Sequence, residues 1–306
     1  MDSDRSLVFL GSKAAGLRAC RALAELLPEG RMEAIVCPDD RGDPRSVFDE
    51  FDALAKERGI PIYLAPTRRE TMELLDRLAP DTAIVHGWYQ ILAVEDLPGT
   101  TFLGFHYSPL PRYRGNAPLV WQIIQGEEEI GVSFFELTAG MDAGRLVDRQ
   151  TAPLGPNESI ADALDKADAL ALGMLRAFVP AWLEGRVALT AQPDEEPSYC
   201  GLRVPDDGRI DWSWPARRIH DFVRAQTRPY PGAFTSLPDG RRLTVYRAEL
   251  EERRFMGAPG AVVETGPEAV TVAAGEGAVR LIEIGIDDGG GQAAAEVLRS
   301  LKTRLS

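Results

Sequence analysis

Over its first ninety residues the chain alternates short apolar runs with segments of helical period, and this alternation restricts the fold more than any other feature. "SLVFLG" ends in glycine and is followed by "SKAAGLRACRALAELL", whose apolar residues recur at helical spacing; "MEAIVCP" is the next apolar run. "FDEFDALAKERGI" then reads as helix, "PIYLAP" as strand, "TMELLDRLAP" as helix and "DTAIVHGW" as strand. Strands joined through helices return in the same direction, so the pattern predicts a parallel sheet with helices on both faces. The turn after the first strand, "GSKAAG", lacks the middle glycine that lets a backbone approach a pyrophosphate, and "CPDD" is a poor ribose-binding acid, which argues against a dinucleotide site.

Further on, "IADALDKADALALGMLRAFVPAWLEG" is a long amphipathic helix closed by Gly185, and "AQPDEEPSYCGLRVPDDGRID" mixes prolines, acids and glycines without a period. "PARRIHDFVRAQ" opens a short helix at a proline. The runs "GAFTSL", "RLTVYRAEL", "GAVVET", "AVTVAAG" and "AVRLIEIG" follow, separated by glycine and proline, as in a small β-barrel. The expected fold is therefore α/β: a Rossmann-like parallel-sheet domain over residues 1–190, a linker over 191–208, and a small OB-like barrel domain over 209–306. A length of 306 residues suits two such domains.

Composition narrows the function. No run of eighteen apolar residues occurs, and "MDSDRSLVFLGSK" lacks the basic flank of a secretory signal, so a cytoplasmic protein without a membrane span is expected. Cys20, Cys37 and Cys200 show no CxxC spacing, which points to neither a disulfide framework nor a metal site. A formal charge of −13 and a pI near 4.8 argue against a broad electrostatic footprint for nucleic acid.

The polar residues out of place in the first domain are His86, Gln90, His106, Arg112, Arg114, Asn116 and Asp142. His106, one of three histidines, opens the proline-rich stretch "HYSPLPRYRG" after the run "TTFLGF", at the carboxyl end of a strand, where open α/β sheets place their sites. Asp142 sits in the Gly-flanked loop "TAGMDAGRLV". On residue type alone the two read either as a catalytic pair or as a satisfied structural histidine and a turn aspartate.

The stretch "FHYSPLPRYRGNAPLVWQIIQGEEEIGVSFFELTAGMDAGRLV" resembles the signature of the 10-formyltetrahydrofolate-dependent formyltransferases, which runs Asn-x-His-x-Ser-Leu-Leu-Pro-x-x-Arg-Gly, then Pro and Trp, Gly-Glu, and Asp-x-Gly. "LVFLGSKAAGLRACRALAE" resembles the family's first strand and helix, "IVHGWYQIL" its folate-side loop, and "PDDGRIDWSWPARRIHDFVRAQTRPYPGAFTSL" the entry to its C-terminal barrel. The resemblance implies an enzyme that moves the formyl group of 10-formyltetrahydrofolate to an amine, without a metal. It implies that His106 polarises the formyl oxygen with Asp142 as its partner, and that Trp88, Tyr89, Gln90, Leu92 and Gly140 border the folate. Ser108, Arg112 and Arg114 fall on the substrate side, the arginines suited to an anionic group.

One position departs from the pattern. Gly104 stands where the family has its Asn, so the side-chain amide donor to the oxyanion is missing, a loss that typically costs ~10²–10³ in turnover. The candidate replacements are Asn116, taken first, His86, Gln122 or a backbone N–H; a folate-binding relative with altered or lost activity is the other reading. For the acceptor, residues 205 to 306 hold 14 Lys and Arg against 15 Asp and Glu, and the linker carries "PDEEP". A polyanion is held by basic surface, so this balance makes nucleic acid an unlikely partner and favours a small-molecule amine. A nucleotide-linked amino sugar is the first expectation, an amino acid or hydroxyornithine-type amine the second, and methionyl-tRNA the alternative.

Overall fold

The computed structural model describes residues 5–43, 45–287 and 289–306. The chain divides into two compact units, neither continuous in sequence: one comprises residues 1–114, 131–152 and 166–199, the other 115–130, 153–165 and 200–306.

In the first unit, β1 (Leu7–Gly11), β2 (Met32–Cys37), β3 (Ile62–Leu64), β4 (Thr82–His86) and β5 (Thr101–His106) alternate with α1 (Lys13–Leu26), α2 (Phe48–Arg58) and α3 (Arg68–Leu78). Further along the chain come β6 (Arg114–Gly115), α4 (Pro118–Ile124), which falls in the second unit, β7 (Glu129–Glu136), β8 (Leu146–Pro153), α5 (Ile160–Leu183) and β9 (Tyr199–Cys200). The seven-stranded sheet has the order β3-β2-β1-β4-β5-β7-β8. β1 pairs in parallel with β2 and β4, β4 with β5, and β7 joins antiparallel to β5. Every residue of β1 and β4 is buried, as a strand covered on both faces requires, which is why these segments read as unbroken apolar runs. Val8, Leu10, Val36, Leu75, Val85 and Phe102 form one core cluster of this unit. Thr67 and Glu70 form a reciprocal capping box at the start of α3, satisfying orphan N–H groups there.

The strand order reverses between β1 and β4, whose carboxyl ends meet at Gly11 and His86. Gly87 follows with a φ of 70°, and a Cβ at this position would strike the Ser12 carbonyl, so only glycine turns the chain this closely past the start of α1. This switch point is where open α/β sheets form their clefts.

The second unit contains α6 (Ala216–Arg224) and an antiparallel sheet, β10 (Ala233–Ser236), β11 (Arg242–Glu251), β14 (Ala278–Ile286), β13 (Val270–Ala273) and β12 (Val262–Thr265) in spatial order, with β15 (Gln292–Ala293) against β14 and then α7 (Ala294–Val297). One face of α6 supplies Ile219, Phe222 and Val223 to a core of Leu243, Val245, Val270, Val279 and Leu281. Trp212 joins that core and donates its indole N–H to Thr235 Oγ1 at 2.9 Å. No helix among the described residues is long and apolar enough to cross a membrane.

Ile219 is fully buried beneath the sheet. Ile219→Ala is expected to destabilise the second unit by about 2–5 kcal/mol through lost burial and a cavity, read as a lower urea midpoint.

Candidate active site

A cleft of about 480 Å³ opens at the carboxyl ends of β4 and β5, bordered by Trp88, Leu92, Gly104, His106, Leu137 and Asp142 among others. The strand β5 brings His106 to its last position, 8% exposed, paired in register with Ser133 of β7.

His106 Nε2 lies 2.7 Å from the Tyr113 carbonyl oxygen. A carbonyl only accepts, so Nε2 carries the proton, and in the neutral ring Nδ1 is a bare lone pair. That nitrogen faces Asp142 Oδ2 at 3.7 Å, too long for a hydrogen bond but close enough for charge attraction. The ring is thus set to receive a proton at Nδ1, with a carboxylate beside it to stabilise the resulting imidazolium.

The loop carrying the Tyr113 carbonyl is laced from within. Ser108 is fully buried and donates to the Arg112 carbonyl at 2.7 Å; Ser133 Oγ donates to the Ser108 carbonyl at 2.8 Å and accepts from the Leu110 N–H at 3.0 Å. Arg149 reaches the Leu110 carbonyl at 2.8 Å, and Tyr113, with a φ of 61°, donates its N–H to Ser198 Oγ. Asp142 is likewise left-handed, with a φ of 45°. Its carbonyl accepts from Gln192 Nε2 at 2.7 Å, the same nitrogen donates to the Gly144 carbonyl at 2.8 Å, and Gln192 Oε1 accepts from Arg114 Nη2 at 2.5 Å. One amide therefore clamps the aspartate loop to the arginine that follows Tyr113. Gln192 lies in the aperiodic segment read as linker, where no local pattern marks it.

The other expected residues fall as follows. Trp88, Gln90, Leu92 and Gly140 line the cleft; Tyr89 is 57% exposed and is not among the lining residues. Trp88 Nε1 and Gln90 Oε1, atoms of two lining residues, are themselves buried and lack a hydrogen-bond partner. Arg112 lies over the Tyr113 ring and Arg114 is engaged by Gln192. Asn116 belongs to the second unit, where it is exposed and its N–H meets the Cys200 carbonyl at 3.1 Å. Gln122, also in that unit, is buried and donates to the Pro118 carbonyl. A Cβ on Gly104 would sit 3.1 Å from Leu137 Cδ2, so Leu137 crowds the room a side chain would need there.

His86 is buried at the end of β4, and desolvation, with the nearby Arg18 charge second, lowers its pKa to about 4. It is among the residues at the cleft, with its ring packed against Phe105 and Tyr107.

Two family models match the chain, "Formyl transferase" over residues 51–175 and "Formyl transferase, C-terminal domain" over 204–302. A methionyl-tRNA formyltransferase of Myxococcus xanthus is 35% identical over 286 residues, covering 91% of this chain and 89% of that protein. That of Sorangium cellulosum is 33% identical over 301 residues, covering 95% of each. The crystal structure of an N-formyltransferase from Helicobacter canadensis, in complex with folinic acid and dTDP-3-aminofucose, shares the fold with a TM-score of 0.70 at 17% identity, covering 91% of this chain and 99% of that one.

These relatives correct two expectations, the nucleotide-linked amino sugar or other small amine as acceptor and nucleic acid as an unlikely partner. The charge argument failed because a net charge is a sum. Arg209, Arg218, Arg254, Arg299, Lys302 and Arg304 are exposed and form no ion pair with another described residue, and residues 299–306 contain no acid. Acids more than about 8 Å away are screened at physiological salt, so local cations decide contact with a polyanion.

The buried His86 has a stability signature. Its folded pKa of about 4 lies below the ordinary 6.5, so the unfolded chain takes the proton first and stability present above pH 6.5 is lost as pH falls towards 4. Denaturation curves between pH 7.5 and 4.5 are expected to fall less steeply for His86→Gln, by on the order of 3 kcal/mol over that window.

Proposed function

This chain belongs to the formyl transferase family, and from that premise we propose that it moves the formyl group of 10-formyltetrahydrofolate to the amino group of methionine carried on tRNA. The observation that carries the reading is the likeness to methionyl-tRNA formyltransferases over nine-tenths of the chain, across both matched regions.

The cleft supports the donor. Trp88, Leu92 and Leu137 offer apolar walls to a flat heterocycle. Gly140, among the lining residues, offers backbone alone.

The chemistry follows from His106. As the amine attacks the formyl carbon and its C–N bond forms, His106 Nδ1 takes the amine proton. Asp142 stabilises the imidazolium, and Tyr113 keeps Nε2–H in place. His106 then returns the proton to N10 as the bond from the formyl carbon to that nitrogen breaks and the carbonyl re-forms. Gln192 holds Asp142 at its distance. With Gly104 in place of an amide-bearing residue, the imidazolium carries more of the oxyanion stabilisation than it would beside a second donor. An acceptor drawn from the translation machinery supports the cytoplasmic reading.

The test is tetrahydrofolate release from 10-formyltetrahydrofolate with methionyl-tRNA, uncharged tRNA and no acceptor. Release is expected only with the charged tRNA, with kcat reduced about 10²–10⁴-fold in His106→Gln and Asp142→Asn. Release without an acceptor, or donor binding without turnover on methionyl-tRNA, would overturn the reading.

A further inference from the structure

Apart from a single bridge at Thr190, residues 190–198 form neither helix nor strand, and none of residues 191–198 is buried. A stretch without a buried side chain to anchor it is placed by directional contacts alone. Those contacts converge on the two loops that carry His106 and Asp142. At one end Thr190 exchanges backbone hydrogen bonds of 2.7 and 2.8 Å with Leu146. Gln192 Nε2 donates to the Asp142 and Gly144 carbonyls, and its Oε1 accepts from Arg114. Glu195 lies 3.6 Å from Arg149, which also donates to the Leu110 carbonyl. At the other end Ser198 Oγ accepts the Tyr113 N–H at 2.8 Å, and the Ser198 carbonyl accepts the Arg114 N–H at 2.9 Å.

The last of these bonds bears on the histidine. The carbonyl of Tyr113 and the N–H of Arg114 belong to one planar peptide. His106 Nε2 therefore holds one edge of that plane and the Ser198 carbonyl the other. The plane cannot rotate away from the imidazole without breaking both bonds.

We propose that residues 190–198 are a positioning strap for formyl transfer: Ser198 sets the peptide that fixes the tautomer of His106, and Gln192 sets the backbone of Asp142. The inference rests on the formyl-transfer reading of this site. His106 ends β5, whereas Asp142 lies between β7 and β8, so two separate loops decide how far the imidazole stands from the carboxylate. One segment bonded to both loops makes that distance a single quantity. The side chain at position 192 must donate to two carbonyls and accept from a guanidinium, which an amide does and a carboxylate does not. Neither Gln192 nor Ser198 lines the cleft, so each acts through the residue it holds.

The experiment is steady-state kinetics on the full chain, with methionyl-tRNA and 10-formyltetrahydrofolate varied in turn. Gln192→Met is made alone and with Asp142→Asn; Ser198→Ala is made alone and with His106→Gln, beside Ser198→Thr. Gln192→Met is expected to lower kcat about tenfold or more, but less than about twofold beside Asp142→Asn, where no carboxylate is left to place. Ser198→Ala is expected to lower kcat about fivefold, and to add little to His106→Gln, while Ser198→Thr, whose hydroxyl still accepts, restores turnover. Both KM values are expected to stay within about twofold. An unchanged kcat, a loss that multiplies undiminished beside Asp142→Asn or His106→Gln, or one confined to either KM would overturn the strap and leave the transferase standing. A wild-type chain that does not turn over methionyl-tRNA would remove the underlying reading and the strap with it.

Discussion

The contact on which the proposed chemistry depends is the hydrogen bond from His106 Nε2 to the Tyr113 carbonyl, 2.7 Å long. An imidazole can offer either nitrogen, and an acceptor that cannot donate removes the choice. To keep that carbonyl inward the chain holds Tyr113 in a left-handed conformation and ties down the preceding turn through two buried serines. The prolines of "SPLPRYRG" serve the same end: Pro109 and Pro111 have fixed φ and bring no N–H of their own that would need a partner. The loop is neither helix nor central strand because its task is to present one oxygen atom to one nitrogen.

The sheet was legible in the sequence because its central strands are covered on both faces, so β1 and β4 appear as continuous apolar runs and the helices between them keep their period. His106 and Asp142 were singled out through an ordered signature, since nothing local marks one aspartate as a catalytic candidate and another as a turn residue. Gln192 was missed because its role is made by partners at residues 114, 142 and 144, and its own neighbours are prolines and acids. Asp168, which accepts from Tyr107 and pairs with Arg18, had a usable signal. Ile160, Ala163, Ala167, Ala171, Met174 and Phe178 mark the buried stripe of α5, and Asp168 adjoins it, where an acid calls for a partner.

Charge was the least transferable of the arguments. The balance of 14 cations to 15 acids in the C-terminal region is accurate, yet the two sets are unequally available. Asp221 is occupied by Arg217 and Arg224, Asp239 by Arg241, Glu251 and Glu264 by Arg253, and Glu283 by Arg228. A polyanion meets the cations left over, within a screening length of each, and the total enters only through long-range steering.

The separation of 3.7 Å between His106 Nδ1 and Asp142 Oδ2 has a consequence for the missing amide at position 104. In the resting site the two atoms are both acceptors, so they do not bond and the lone pair on Nδ1 stays free. In the proposed reaction, the ring becomes a cation when the amine proton arrives, and the carboxylate attracts it. The interaction is strong only after the reaction has begun, which is the condition for it to lower the barrier instead of stabilising the ground state. A fixed amide donor would add to this, since it binds the oxyanion more strongly than the formyl oxygen from which the charge develops. In the proposed reaction, a site built around Gly104 and Leu137 lacks that donor, and more of the stabilisation falls to a histidine whose charge appears with the oxyanion.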